Sequence, residues 1–233
     1  MTTPSSGSGK TRDEIAQAYR SEPWWYDVRG FFILTFAYNS TLPAQLRFFG
    51  RNIGARHLEA ACGTGTLLEL VLRWRRWKGL PAAQIVGIDY AESMLAGAIH
   101  RFRGQPGLSF QHADAADLPF PADSFDTANI ANSVHCFPDV AGALRGVHRV
   151  LKPGGTLAAN VLLVPRGQGP LARIANAIND WGMRKGILYR PYQADEVRQL
   201  MQEAGFETVS DEVSGNCLNL LVRKPGGAGS SAR

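Results

Sequence analysis

Three times in succession a short apolar run in this chain ends on an acid: Glu59 in HLEAACGTG, Asp89 in QIVGIDY and Asp114 in SFQHADA. The segments between them carry helical spacing, as in Leu67, Leu70, Val71 and Trp74 after the first acid. Strict alternation of strand and helix implies parallel strands, right-handed crossovers and a ligand site at the strands' C-terminal ends. The three acids would therefore gather along one edge of a sheet. After Glu59, the glycines Gly63 and Gly65 predict a tight turn opening a helix over Thr66 to Trp77, where bare backbone can approach a ligand through φ values that side chains resist. Two relatives of this pattern are missing. The dinucleotide fingerprint needs a third glycine where Leu68 stands, and a phosphate loop needs a lysine after its last glycine.

The acids also suggest what they hold. Glu59 in front of the glycines suits a cationic ammonium better than a pyrophosphate. Asp89, at the end of the second strand, can accept hydrogen bonds from both ribose hydroxyls of an adenosine, although an acid there can also simply cap the helix that follows. Tyr90 and Met94 offer apolar surface for an adenine ring. A fourth strand, Phe125 to Ala131, ends at Asn132, Ser133, Val134 and His135, and Pro138 is expected to start a helix through Val150. LKPGG (Leu151 to Gly155) then turns into a strand over Thr156 to Leu162. A helix over Ala194 to Ala204 and an antiparallel pair, Phe206 to Val213 and Cys217 to Arg223, complete the pattern.

This ordered set resembles the class I S-adenosylmethionine (SAM) dependent methyltransferases, of the ubiquinone/menaquinone-biosynthesis type. Their first motif runs Asp/Glu, any, Gly, any, Gly, any, Gly, and here Ala61 stands at the first glycine. The resemblance spans roughly residues 50 to 224. It implies an α/β, Rossmann-like doubly wound sheet of about seven strands, the last antiparallel. An N-terminal helical cap and a lid insertion after the fifth strand belong to the same expectation. It also implies SAM as cofactor, S-adenosyl-L-homocysteine as product, and a cofactor site made by Tyr26, Glu59, Ala61, Gly63, Gly65, Asp89, Tyr90, Met94, Asp114, Ala115 and Asn132. In the family the acid at Asp114 takes the adenine amino group and the next amide, that of Ala115, a ring nitrogen. Tyr26, with Asp27, matches a pair that closes over SAM.

The domain boundaries follow. Residues 1–12 and 225–233, rich in Ser, Gly, Thr and Pro, are expected to be disordered tails. Residues 13–50 form the cap, whose many aromatics either pack on the sheet or cover the pocket. Residues 51–224 form the methyltransferase domain, with the lid at about 165–192. Trp181 and Tyr189 in the lid are candidate walls for the acceptor. His135, just past the fourth strand, is the candidate general base, with shaping of the pocket as its alternative.

Composition narrows the function classes. At 233 residues and 45% hydrophobic, the chain can bury one full core. Its net charge of +5 permits anionic partners without requiring nucleic acid. The basic run Arg73 to Lys78 reads as a solvated helix end that complements the dipole, and it leaves room for weak contact with a membrane surface. No run approaches the roughly 20 apolar residues of a membrane span, so the chain is expected to be soluble. Cys62, Cys136 and Cys217, odd in number and scattered, indicate neither a disulfide framework nor a metal site and fit a reducing cytoplasm. The expected acceptor is a small, partly hydrophobic or aromatic molecule of secondary metabolism, methylated on O, N or C. The rivals are methylation of RNA or protein, which needs a basic groove at the pocket, and a SAM-binding sensor without turnover.

Overall fold

The computed structural model describes residues 41–164, 176, 177, 180, 184 and 191–226. The N-terminal tail, most of the cap including Tyr26, the lid residues Trp181 and Tyr189, and most of the C-terminal tail lie outside the described residues.

The chain runs α1 (Leu42–Asn52), β1 (Arg56–Ala60), α2 (Thr66–Trp77), β2 (Gln84–Asp89), α3 (Glu92–Arg101), β3 (Leu108–His112) and β4 (Phe125–Ile130). It continues through a short 3-10 turn at Val134–Cys136 into α4 (Val140–Val150), β5 (Leu151–Leu162), α5 (Ala194–Glu203), β6 (Glu207–Ser214) and β7 (Cys217–Arg223). The sheet has seven strands in the order β3-β2-β1-β4-β5-β7-β6. Neighbours from β3 to β5 are parallel, and β7 runs antiparallel to both β5 and β6. Six strands therefore point one way and β7 the other, as expected. Strand order reverses between β1 and β4, the place where an open α/β sheet leaves a crevice.

Apolar residues alternate to opposite faces along each strand. Leu58, Ala60, Leu157, Ala159 and Val161 join the core under α4 and α5, whereas Ile85 and Ala158 join Phe49, Leu68 and Val71 under α1 and α2. The second face is not wholly apolar. His57, Glu59 and Asn129 are buried there.

The structure differs from expectation at four places. The cap boundary at residue 50 cuts through α1, which continues to Asn52. Pro138 does not begin α4; the helix starts two residues later at Val140, capped by Asp139, whose side chain accepts from Gly142 N at 2.8 Å, because a carboxylate satisfies an orphan donor that proline cannot. LKPGG is absorbed into β5 as a bulge, with Leu151 opposite Phe125 and Thr156 opposite Thr127. Arg75, within the supposedly solvated basic run, is buried and donates to the carbonyls of Gly50 and Pro81 (2.7 Å to the latter), which locks α2 to α1 and to the loop after it. Trp77 in the same run is exposed, with Lys78 Nζ 4.0 Å from its ring centroid.

One glycine fixes how α4 meets the sheet edge. A Cβ on Gly146 would stand 2.5 Å from the carbonyl oxygen of Ala115, so the helix can lie on that loop only because the side chain is absent. Alanine is intrinsically the better helix former by about 1 kcal/mol. Gly146→Ala should nonetheless destabilise, by about 1–3 kcal/mol, through the forced shift. Thermal denaturation checks this, and a melting temperature at or above wild type would refute the packing argument.

Candidate functional site

The site is assembled on backbone. Ala61, Gly63 and Gly65 take positive φ of 57°, 56° and 76°, so the turn after β1 winds through three left-handed residues in five. The three differ in the space around a Cβ. A Cβ on Gly63 would meet nothing within 4 Å, which leaves its bare backbone facing open space. A Cβ on Gly65 would meet the Phe102 ring at 2.6 Å, so this glycine is required by packing. Ala61 has a Cβ and adopts the conformation regardless.

Asp89 ties this turn to the end of β2. Its Oδ2 accepts from Gly63 N at 2.7 Å and its Oδ1 from Ala91 N at 2.9 Å. Each carboxylate oxygen keeps a further lone pair. Burial raises the Asp89 pKa above the ordinary aspartate value, against the pull of those amides and of the nearby His112. At the end of β3, Asp114 Oδ1 accepts from Ala116 N at 2.9 Å, and the Asp114 carbonyl accepts from Asp117 N. His112 donates from Nε2 to the Tyr90 carbonyl at 2.9 Å and lays its ring 5.5 Å from that of Tyr90.

These ends enclose a cleft of about 120 Å³, partly open to solvent. Of the expected cofactor residues, Ala61, Gly63, Asp89, Tyr90, Met94, Asp114, Ala115 and Asn132 line it. Glu59 and Gly65 do not. Gly65 is turned into the helix packing, and Glu59 faces the other side of the sheet, where its Oε2 meets His57 Nε2 and Asn129 Nδ2, each at 3.2 Å. His135 is also outside the lining. It is 6% exposed, and desolvation pushes its pKa down to about 3.

Sequence reading missed one wall and one network. Ser133, Cys136, Phe137, Pro138 and Asp139 form the wall after β4. The network joins Thr127, His57, Glu59, Asn129 and Asn52 across the sheet. Its signal was in plain view, since polar Thr127 and Asn129 alternate along a strand that is central in the sheet.

The cysteines carry no ready thiolate. Burial, with the charges of Asp89 and Glu59, pushes Cys62 far up, and burial takes Cys217 to about 12. Among the described residues no group of three or more His, Cys, Asp or Glu side chains could hold a metal ion. Nor is any described helix long and apolar enough to cross a membrane.

Residues 58–159 match the family described as a methyltransferase domain. Among curated relatives, a 2-phytyl-1,4-naphtoquinone methyltransferase from Synechococcus elongatus is 37% identical over 123 residues, 52% of this chain and 50% of its own. A demethylmenaquinone methyltransferase from Staphylococcus aureus is 33% identical over 110 residues, 47% of this chain and 44% of its own. The chain thus spans about half the length of the curated relatives it matches. Among solved structures, the [4+2]-cyclase SpnF superposes with a TM-score of 0.63 at 23% identity, covering 80% of each chain. That likeness concerns the fold alone, and a protein named a cyclase shares it.

Ala61 supplies a test of the turn. A residue with a Cβ held left-handed costs about 1–2 kcal/mol. Ala61→Gly should relieve that strain and raise the stability by about 1 kcal/mol, or a melting temperature about 2–4 °C higher for a domain of this size. A lower melting temperature would mean that the Cβ contributes packing that outweighs the strain.

Proposed function

We propose that this chain binds SAM in the cleft and transfers its methyl group to a small, partly hydrophobic or aromatic acceptor. The observation that carries the reading is the Asp89 carboxylate, held by Gly63 N and Ala91 N at the mouth of a crevice inside the matched segment. The residues suit the ligand. Asp89 retains lone pairs for two ribose hydroxyls, Tyr90 and Met94 give flat and apolar surface, and the open space at Gly63 admits a ligand against bare backbone. Bound SAM supplies a methyl group already activated by its sulfonium. What the chain contributes is placement and exclusion of water, worth up to roughly 7–11 kcal/mol where orientation is good.

Both curated relatives named above carry quinone compounds in their names, which supports acceptors of the quinol or phenol type as the first to try. Methylation of RNA or protein is less favoured. The cations of the basic run sit at the C-terminal end of α2, away from the strand ends that form the cleft, and Arg75 among them is buried as a clamp. The sensor alternative is distinguished by turnover: release of S-adenosylhomocysteine with any quinol, phenol or amine excludes it.

Asp89→Ala should weaken SAM more than about tenfold, since hydrogen bonds to a charged group are worth about 1.5–3 kcal/mol. Titration calorimetry on folded variant protein checks it, and unchanged affinity would sink the cleft assignment. A pH effect has the same origin. A raised pKa means that Asp89 keeps its proton to higher pH than an ordinary aspartate, and a protonated carboxyl offers fewer acceptors to hydroxyls. SAM affinity should therefore be full above that raised pKa and fall as pH drops through it, a dependence that Asp89→Asn should flatten.

Within this proposal His135 is the candidate base, and its setting bounds its share. A buried imidazole with a pKa near 3 takes up a proton reluctantly at neutral pH. The expected result for His135→Ala is turnover within about tenfold of wild type at pH 7. A loss of a hundredfold or more that recovers as pH rises would assign proton removal to His135 after all.

A further inference from the structure

Asn132, two residues past the end of β4, has φ of 56°, a left-handed conformation in a residue that has a Cβ. Asparagine resists that conformation less than most residues, yet it is not free. Two side chains that do not line the cleft hold it there. Asn160, on β5 and 0% exposed, accepts the Asn132 backbone N–H on Oδ1 at 2.5 Å, while its Nδ2 donates to Asn132 Oδ1 at 2.6 Å. Gln45, on α1 and 2% exposed, accepts from Asn132 Nδ2 at 3.2 Å through Oε1.

The direction of every bond in this chain is forced. A backbone N–H can only donate, so the Asn160 oxygen must face it and the Asn160 NH2 must face Asn132. The Asn132 amide is then oriented oxygen toward Asn160 and nitrogen toward Gln45. Flipping any one amide would set donor against donor. Two buried residues from two different elements, β5 and α1, thus fix one backbone conformation at the rim of the cleft. That conformation is where the chain leaves β4 for the wall residues Ser133, Cys136 and Phe137.

We propose that Asn160 and Gln45 are positioning residues for the cleft: they hold the left-handed turn at Asn132 that aims the wall after β4, and Asn132 acts through its backbone instead of presenting its amide to the ligand. The proposal rests on the reading of the cleft as the SAM site. It also makes the seating of α1 part of the site, because Gln45 belongs to that helix.

Glycine at position 132 separates the two roles. It adopts positive φ without help, so it keeps the turn while removing the amide. Alanine removes the amide and resists the turn. In calorimetric titration with SAM, Asn132→Ala should bind at least fivefold more weakly than Asn132→Gly. Asn160→Ala should lose roughly tenfold, and adding Asn132→Gly to it should recover at least fivefold, a rescue that general damage to β5 would not show. Gln45→Leu should weaken SAM by a smaller factor in the same direction. Equal affinities for Asn132→Ala and Asn132→Gly, or no recovery in the double variant, overturn the proposal. If Asn160→Ala does not fold, the Ala against Gly contrast decides alone. If wild-type protein binds no SAM, the reading of the cleft fails by itself. The inference is then judged on ligand-free melting, where Asn132→Gly should exceed Asn132→Ala by about 2 °C or more, and equality or reversal overturns it.

Discussion

One carboxylate joins the two halves on which the site depends. Asp89 takes the amide of Gly63 from the turn after β1 and that of Ala91 at the head of α3, so two neighbouring strand ends share a single anchor. Burying that charge is unfavourable, as its raised pKa records, and the two amides offset part of the penalty. The arrangement leaves the carboxylate poised: oriented by protein donors, with acceptor capacity in reserve, and desolvated enough that hydroxyl donors from a ligand would be strong partners. It adds to the support that the Ile88 carbonyl and the Ser133 hydroxyl give the turn at Cys62 N and at the Ala61 carbonyl.

The same turn is held from beneath by charge and packing. Arg101, at the end of α3, donates from Nε to the Thr64 carbonyl at 3.0 Å and from Nη1 to Glu69 Oε2 at 2.8 Å, which links turn, α2 and α3. Glu69 is also paired with Arg73, and these donors draw its pKa down. On the far face, the hydrogen bonds are ordered. Gly54 N donates to Thr127 Oγ1, the threonine hydroxyl meets His57 Nδ1, and His57 Nε2 meets Glu59 Oε2. Asn52 reaches from the end of α1 into the same system through Asn129, and Thr156 donates back to Asn52. A buried polar layer of this kind specifies how α1 docks more sharply than apolar contact alone, because a slipped register would strand several donors at once.

These features explain what was legible in the sequence. Strand boundaries at Gln84, Leu108 and Cys217 and the whole of α2 could be read because burial imposes a period on apolar residues, and Asp89 and Asp114 could be located because acids at strand ends break that period. Contacts between elements distant in sequence were not legible. Arg75 looked like a solvated cation because nothing nearby announces that the Gly50 and Pro81 carbonyls wait for it. Glu59 was read as facing a ligand from its place before the glycines, yet a strand sends alternate side chains to opposite faces, and the polar partners of Glu59 lie two residues back on β1 and across on β4. His135 was judged by its position along the chain, and position carries no information about enclosure.

The cleft divides its labour in a way that follows from which atoms do the work. On the proposed reading its cofactor side is made largely from backbone, at Gly63, Ala91 and Ala115, with Asp89 to orient it, and backbone geometry survives wide changes in side chains provided the turn and the packing under it are kept. SpnF, named a cyclase, shares the fold at 23% identity. The acceptor side has no such constraint. On that reading the acceptor would meet side chains of the wall after β4. A substitution at Cys136 or Phe137 would then retune what the cleft accepts while the Asp89 anchor, on the opposite side of the strand-order reversal, keeps the other half of the cleft as it is.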